Sequence, residues 1–322
     1  MNWRFYWYLR RGYTHAPPHY LNLEPTNRCN LSCVWCVASD VRASGLLRLE
    51  LAERVLDQAQ HAGVKEVRLF LAGEPLLHPQ IDELVRLAKA RNLRTVIHTN
   101  AMLLDESRST KLISAGLDEI SFSINGTTPE EVLERQPGAN LEKMASNVRR
   151  FLEIKHLSAS PSPLTILQII QDQEHLKAPL KISVIQDLFG KPGPDRILRL
   201  PPHAWAGQLP EGEVPARGEK YFPCQPLWQS ISVAWDGKVF ACCGDLNGTV
   251  VVGDVTQETL MDVWYGPMMA RLRRLVATNR REALDLCGSC DAVWWEGHPA
   301  KSDVKRFLWR LIKWVGPRTG TM

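Results

Sequence analysis

The chain has 322 residues, with 39 lysines and arginines against 35 aspartates and glutamates, a formal net charge of +4, 44% apolar and 23% charged residues. That length suits one large α/β domain with a smaller one beside it, and the composition is that of a globular protein, not a disordered chain. The charge is too mild to point to nucleic acid, no apolar stretch reaches the roughly 20 residues of a membrane span, and Arg4 interrupts what would otherwise be an apolar signal at the N-terminus.

In chain order, residues 19–24 predict a short strand, followed at once by a loop holding Cys29, Cys33 and Cys36. Residues 49–61 are amphipathic and stop at Gly63, so they predict a helix. An apolar run from residue 66 ends in Gly73-Glu74-Pro75. A helix is expected over 81–91, a strand over 94–100, a helix over 107–115, a strand over 119–126, a helix over 141–155, and strands over 164–171 and 196–200. Strands separated by helices of this length imply parallel βαβ units. In parallel barrels the chemistry sits at the C-terminal strand ends. Gly73, Glu74, Asn100, Ser123 and Asn125 all fall there, on the rim of the cysteine loop. His78, His98 and His203 near strand ends read as structural, and Trp205 as a packing residue beside the mouth.

Residues 209–221 are rich in Pro, Gly and Glu and read as a linker. Beyond it, strands over 228–235 and 239–242 flank Asp236-Gly237, a strong hairpin signal. One helix is expected over 259–277. Residues 302–315 form a basic amphipathic pattern with Trp309 and Trp314, suited either to docking on protein or to peripheral membrane contact. The expected division is 18–208, 221–298 and a terminal helix over 300–322.

The C-x3-C-x2-C spacing of Cys29, Cys33 and Cys36 supplies three thiolates. A 4Fe–4S cluster has four irons, so three ligands leave one open, whereas a structural zinc site would want a closed set of four. The loop, the Gly-Glu-Pro strand end, the Thr99-Asn100 strand end and the Ser123-x-Asn125 strand end together resemble the radical S-adenosylmethionine (SAM) superfamily, over roughly residues 18–200. The resemblance implies an α/β fold with a partial (β/α)6 TIM-like barrel. It also implies that SAM chelates the fourth iron through its amino and carboxylate groups. Glu74 would then accept from the SAM amino group, Gly73 would permit close backbone approach, Ser123 and Asn125 would serve the ribose hydroxyls and carboxylate, Asn100 would assist, and Trp35 would lie near the adenine. An external electron donor of flavodoxin or ferredoxin type is implied as a partner.

Five more cysteines follow. Twelve residues separate Cys224 from Gly237 and four separate Gly237 from Cys242, and Cys287 and Cys290 form a C-x2-C. This resembles the twitch form of the SPASM extension, a small C-terminal α+β iron–sulfur module, with Cys224, Cys242, Cys287 and Cys290 as ligands of one auxiliary 4Fe–4S cluster. Four thiolates would also suit zinc. Cys243 is left over, as a small buried thiol, as a hydrogen-atom donor to a substrate radical, or as the ligand in place of Cys242, although the four-residue gap after Gly237 favours Cys242. The cofactors implied are two 4Fe–4S clusters and SAM, and the expected location is the cytoplasm, where thiols stay reduced.

The leading expectation is a radical SAM oxidoreductase acting on a small polar substrate, sugar- or cyclitol-like, with the auxiliary cluster accepting an electron. Three alternatives stand beside it: an epimerase using Cys243, a peptide-modifying maturase, and an iron–sulfur electron carrier. Maturases usually carry a peptide-docking domain of about eighty residues before the barrel, and about twenty residues precede the first strand here. The carrier reading leaves the Gly-Glu-Pro and Ser-x-Asn strand ends without a role.

Overall fold

The structure is a computed structural model that describes residues 14, 16–37, 42–158, 160–209, 220–221, 223–290 and 294–295. The C-terminal segment 300–322, and with it the expected basic helix, lies outside the described residues, as does most of the linker.

Six parallel strands alternate with helices in the first part of the chain. They are β1 (Tyr20–Leu23), β2 (Glu66–Arg68), β3 (Arg94–Thr99), β4 (Glu119–Ser123), β5 (Leu164–Ile170) and β6 (Arg196–Leu200), and they lie side by side in that order. The main helices between them are α1 (Leu49–His61), α2 (Ile81–Ala90), α3 (Glu106–Ser114), α4 (Pro129–Arg135) and α5 (Leu141–Leu157). Two further helices, α6 (Gln173–Lys177) and α7 (Ile182–Phe189), fill the β5–β6 connection, for which the sequence predicts none. Side-chain caps fix several helix starts: Asp105 accepts from the amide of Arg108 at 2.8 Å, and Asn140 from that of Lys143 at 2.9 Å.

Strand residues alternate between two faces. Leu21, Leu23, Val67, Ile97, Ile120, Phe122, Leu167 and Ile169 join one buried cluster with the helices. The opposite parity, including Tyr20, Asn22, Arg68, His98, Ser121, Ser123 and Gln168, forms the inner face of the partial barrel. A repeated device locks neighbouring strands at their N-terminal ends. Asp118, just before β4, accepts from the amide and hydroxyl of Thr95 at 2.8 and 2.9 Å and from Lys89. Asp195, just before β6, accepts from the amide and hydroxyl of Thr165 at 2.8 and 2.7 Å and from Lys155.

The second part of the chain continues this sheet. After β7 (Lys220–Tyr221) and α8 (Pro226–Gln229), β8 (Ser230–Val233) pairs in parallel with β1, aligning Ser230 with Tyr20 and Ser232 with Asn22. β9 (Lys238–Phe240) and β10 (Val251–Asp254) add antiparallel strands, giving nine strands in one sheet. The hairpin at Asp236-Gly237 is present, but its first strand is shorter than expected. Pro226 stands in the first turn of α8, where its fixed φ favours helix, so Trp228 is helical. The second strand ends at Phe240, and Cys242 and Cys243 lie in the turn that follows. The single helix expected over 259–277 is two, α9 (Leu260–Tyr265) and α10 (Pro267–Ala277). Pro267 cannot donate to the helix before it, so the chain breaks there and Gly266 caps both halves. The chain then runs through α11 (Asp285–Gly288) to β11 (Trp294–Trp295), which pairs with β7.

Candidate functional site

The cysteine loop leaves β1 at Glu24, whose fully buried carboxylate accepts from both terminal nitrogens of Arg42 at 3.0 and 2.6 Å and from the amides of Ala72 and Trp235, both at 3.2 Å. Gly73 has φ +76, and a Cβ there would stand 2.5 Å from the carbonyl oxygen of Arg28 and 2.6 Å from that of Thr26. Its lack of a side chain is thus required by the loop itself, and the Glu74 amide donates to the Arg28 carbonyl at 2.7 Å. Further along, the amides of Ser32 and Val34 donate to the carbonyls of Pro137 and Arg135 at 3.3 and 3.0 Å. Asn100 Nδ2 donates to Asn30 Oδ1 at 2.9 Å, and Trp205 Nε1 to the Trp35 carbonyl at 2.7 Å. The loop is therefore gripped from several elements at once.

Cys29, Cys33 and Cys36 are free thiols, and they face one another closely enough to interact electrostatically. Burial first, and then Glu74 and Cys36, push Cys29 up to about 11. Burial, then Cys36 and Cys29, push Cys33 up to about 12. Cys29 and Cys36 present surface to solvent, yet the surrounding loop crowds Cys29 enough for desolvation to dominate. Thiols raised this far stay protonated at neutral pH until a metal displaces the proton. Among the described residues no three His, Cys, Asp or Glu side chains converge tightly enough for a single bare ion. The fit to a cluster rests on the donor chemistry: three soft ligands on one short loop.

Glu74 is buried, and burial raises its carboxyl to about 7. It already accepts from the Leu76 amide at 3.0 Å, the Thr99 hydroxyl at 2.8 Å and the Asn100 amide at 2.8 Å. A carboxylate has about four acceptor sites, so about one remains for an outside donor. Asn125 Oδ1 accepts from the Ile170 amide at 3.0 Å, and its own amide donates to Gln136 Oε1 at 2.8 Å. Its side-chain oxygen is thus engaged by β5. Ser123 is half-buried on the inner face. Trp35 is half-buried, with the Arg135 guanidinium carbon 6.0 Å from its ring centre.

The thiols of the second set are raised in the same way, by burial and by one another. Burial, then Cys290 and Cys287, raise Cys224; burial, then Cys243, Cys224 and Cys290, raise Cys242; and burial, then Cys290, push Cys287 up to about 12. Cys243 is raised by burial and lowered by Arg68, while Tyr20 senses the Cys243 thiol. Cys243 thus interacts electrostatically with Arg68 and Tyr20, whose guanidinium and ring stack at 3.6 Å, and also with Cys242 and Cys224 of the second set. Arg281, buried, donates to the carbonyls of Cys287, Gly288 and Cys290 and braces the C-x2-C turn. Asp245, fully buried, accepts from the amides of Thr249 and Val250, both at 2.8 Å, and shapes the loop after Cys243.

The profile of the Radical SAM superfamily matches residues 23–160, and the SPASM profile, an iron–sulfur cluster-binding domain, matches residues 224–291. The chain contains a radical SAM domain and a SPASM domain. A radical SAM domain carries a 4Fe–4S cluster and SAM, and a SPASM domain carries additional iron–sulfur clusters. Among curated proteins, the PqqA peptide cyclase of Gluconobacter oxydans is 26% identical over 283 residues, covering 77% of each chain. Among solved structures, Streptococcus suis SuiB bound to precursor peptide SuiA superposes with a TM-score of 0.66 at 18% identity over 91% of this chain and 74% of that one. BtrN in complex with AdoMet and 2-DOIA superposes with a TM-score of 0.58 at 18% identity over 85% of this chain and 93% of that one. These likenesses establish the partial-barrel fold with its C-terminal module. No helix among the described residues is long and apolar enough to cross a membrane.

Sequence reasoning missed Gln136, whose Nε2 reaches the Cys33 sulfur at 3.9 Å and the Ser123 carbonyl at 3.1 Å. It also missed Glu24, Arg42, Asp245 and Arg281. Their signal is weak because each is a common polar residue whose role depends on a partner far along the chain. The Glu-Arg-Gln end of α4 could have been found only by asking what holds a cysteine loop that has no secondary structure of its own.

Proposed function

We propose that the protein is a radical SAM enzyme that oxidises a polar substrate by two electrons. Cys29, Cys33 and Cys36 would hold the SAM-binding cluster, and Cys224, Cys242, Cys287 and Cys290 the auxiliary one. When bound, SAM and its cluster supply a 5′-deoxyadenosyl radical that takes a hydrogen atom from carbon, and the second cluster supplies an acceptor for the electron left behind. Glu74 would take the SAM ammonium on its remaining acceptor site, while Trp35, Asn100, Ser123 and Asn125 flank the place where the rest of SAM would lie. An external one-electron donor of flavodoxin or ferredoxin type is required.

The observation that carries this reading is the SPASM profile over residues 224–291, which spans all four of the cysteines proposed for the second cluster. Four protein ligands close a cube and leave no iron open to chelate substrate, which suits electron acceptance. A polar substrate suits Ser123 and Gln168, half-buried on the inner face, while Asn22 and Ser232 are buried and satisfy each other, Asn22 Nδ2 donating to Ser232 Oγ at 3.0 Å. The test follows the substrate's mass. Oxidation makes the product about two mass units lighter, with SAM consumed as a cosubstrate and Cys243→Ala still active. A product of unchanged mass that takes up deuterium from heavy water, with activity lost in Cys243→Ala, would make the enzyme an epimerase instead.

A peptide substrate is the second reading. It is favoured by the likeness to the PqqA peptide cyclase across 77% of both chains and to SuiB in its complex with precursor peptide SuiA. Incubation with aminocyclitols and with short peptides, each scored for loss of two hydrogens, separates the two substrate classes.

A further inference from the structure

Just beyond β6, Trp205, Ala206 and Gly207 have φ of +45, +57 and +81. Three consecutive left-handed residues are rare, and a bulky aromatic among them is a genuine outlier. Such backbone persists only where its surroundings over-determine it. Here they do. The Trp205 indole donates to the carbonyl of Trp35, between Cys33 and Cys36, at 2.7 Å. Its ring packs with Val37, Ala72 and Leu246 and lies 4.1 Å from the ring of His203. Gln208 closes the turn through its amide to the Ala204 carbonyl at 2.8 Å, and its Nε2 reaches Asp245 at 2.9 Å.

The next two residues face the other cysteine set. A Cβ on Gly244, the residue after Cys243, would stand 3.4 Å from the nitrogen and from the Cβ of Ala206. A Cβ on Gly207 would stand 2.6 Å from the Cβ of Ser289, the residue just before Cys290, and 2.9 Å from its carbonyl carbon. One short turn thus touches the loop of the first set and two of the three segments that carry the second.

We propose that residues 203–209 form a clamp fixing the two cysteine sites relative to each other, with Trp205 and Gly207 as its positioning residues. This rests on the cluster assignments of the proposed function. The left-handed path is what allows one side of the turn to present an indole to Trp35 while the other presents bare backbone to Ser289. An ordinary extended connection would leave the space between the two loops to side chains with independent rotamers.

The test uses the full chain with both clusters reconstituted without oxygen. Trp205→Phe keeps an aromatic ring but removes the indole donor. It is expected to keep about eight irons and to bind SAM about three- to tenfold more weakly, read from the SAM-dependent change in the electron paramagnetic resonance signal of the reduced protein. Gly207→Ala forces a Cβ against Ser289 in a backbone region that L residues avoid. Its iron content should fall from about eight toward about four, with the SAM-dependent signal retained. Thr259→Ala, which removes the side-chain cap of α9 outside this turn, should match the parent in both readouts, showing that a modest loss of stability does not by itself release iron or SAM. Parental iron content, SAM affinity and signals in both Trp205→Phe and Gly207→Ala would overturn the clamp. The iron count of Gly207→Ala is read without SAM. A parent that never cleaves SAM would therefore sink the functional reading while leaving the clamp to stand or fall on its own.

Discussion

His98 and Glu74 sit one strand apart and respond to pH in opposite senses. The His98 ring stacks on Phe70 with centroids 3.9 Å apart, and burial lowers its pKa to about 4. Its folded value lies below its ordinary one, so the unfolded chain binds more protons between about pH 4 and 6.5, and the stability it contributes is lost as pH falls through that window. Glu74 is the reverse: burial raises it to about 7, so its contribution is fully present below about pH 4.5 and is lost as pH rises through about 7. Each effect is of order 1–3 kcal/mol, and they oppose each other near pH 5–6.5. His98→Phe, which keeps a ring against Phe70, should unmask a stability that falls between about pH 5 and 7. Glu74→Gln should be less stable overall, with a stability that rises across the same window. Denaturant midpoints as a function of pH decide this, and profiles parallel to the parent in both variants would contradict it. Glu74 was legible as a site residue from its place after a strand, and so was Gly73 as a close backbone approach. What the sequence could not show was that both serve the cysteine loop through Arg28, because that contact depends on how the loop folds back.

At the level of elements, the alternation of strands and helices was legible because each helix carries a 3.6-residue apolar period and each strand a short β-rich run. The errors have local physical causes. The run from residue 66 looks like a long strand, but the ladder is short, Glu66–Arg68, because the chain bends away toward Gly73. The helix expected over 259–277 breaks at Pro267, because a proline has no N–H to donate to the preceding turn. The strand locks at Asp118 and Asp195 were not legible, since an aspartate before a strand reads as a turn residue. They yield a prediction. Asp118 holds the Thr95 amide and hydroxyl together with Lys89, and Asp118→Asn exchanges a charged acceptor for a neutral one. The variant should lose about 1–3 kcal/mol of stability in denaturant titration while retaining its iron. A loss of first-cluster iron in that variant would show that the lock reaches the cysteine loop. The Thr259–Asp262 capping box at α9 is a control far from the inner face: Thr259→Ala should cost about 1 kcal/mol and leave SAM cleavage unchanged.

For the whole molecule, the decisive feature is that the SPASM hairpin is not a separate body. β8 extends the barrel sheet through a parallel ladder with β1, from Tyr20–Ser230 to Leu23–Val233. The buried carboxylate of Glu24 binds the Trp235 amide as well as Arg42, and Arg42 in turn donates to the Leu246 carbonyl at 2.8 Å and lies over the Phe240 ring at 4.8 Å. The sequence reading divided the chain at the linker and could not show this joint, because a four-residue strand carries no record of which edge it will pair with. A chain cut after residue 209 would keep Cys29, Cys33 and Cys36, yet it would expose the edge of β1, a template for aggregation, and strip the Glu24–Arg42 pair of its cover. Such a chain should be poorly soluble and should not cleave SAM, although every residue proposed for that step is present. The same joint can be probed in the intact chain. Arg42→Met leaves the Glu24 carboxylate buried without its cation, which costs about 3–5 kcal/mol, while Cys224→Ala removes a proposed auxiliary ligand and leaves the joint alone. Arg42→Met should therefore lower the unfolding midpoint and weaken both sites together, and Cys224→Ala should lose only about four irons. If the truncated chain instead holds about four irons and cleaves SAM at the parental rate, the two domains are independent, and the shared sheet is only the place where they meet.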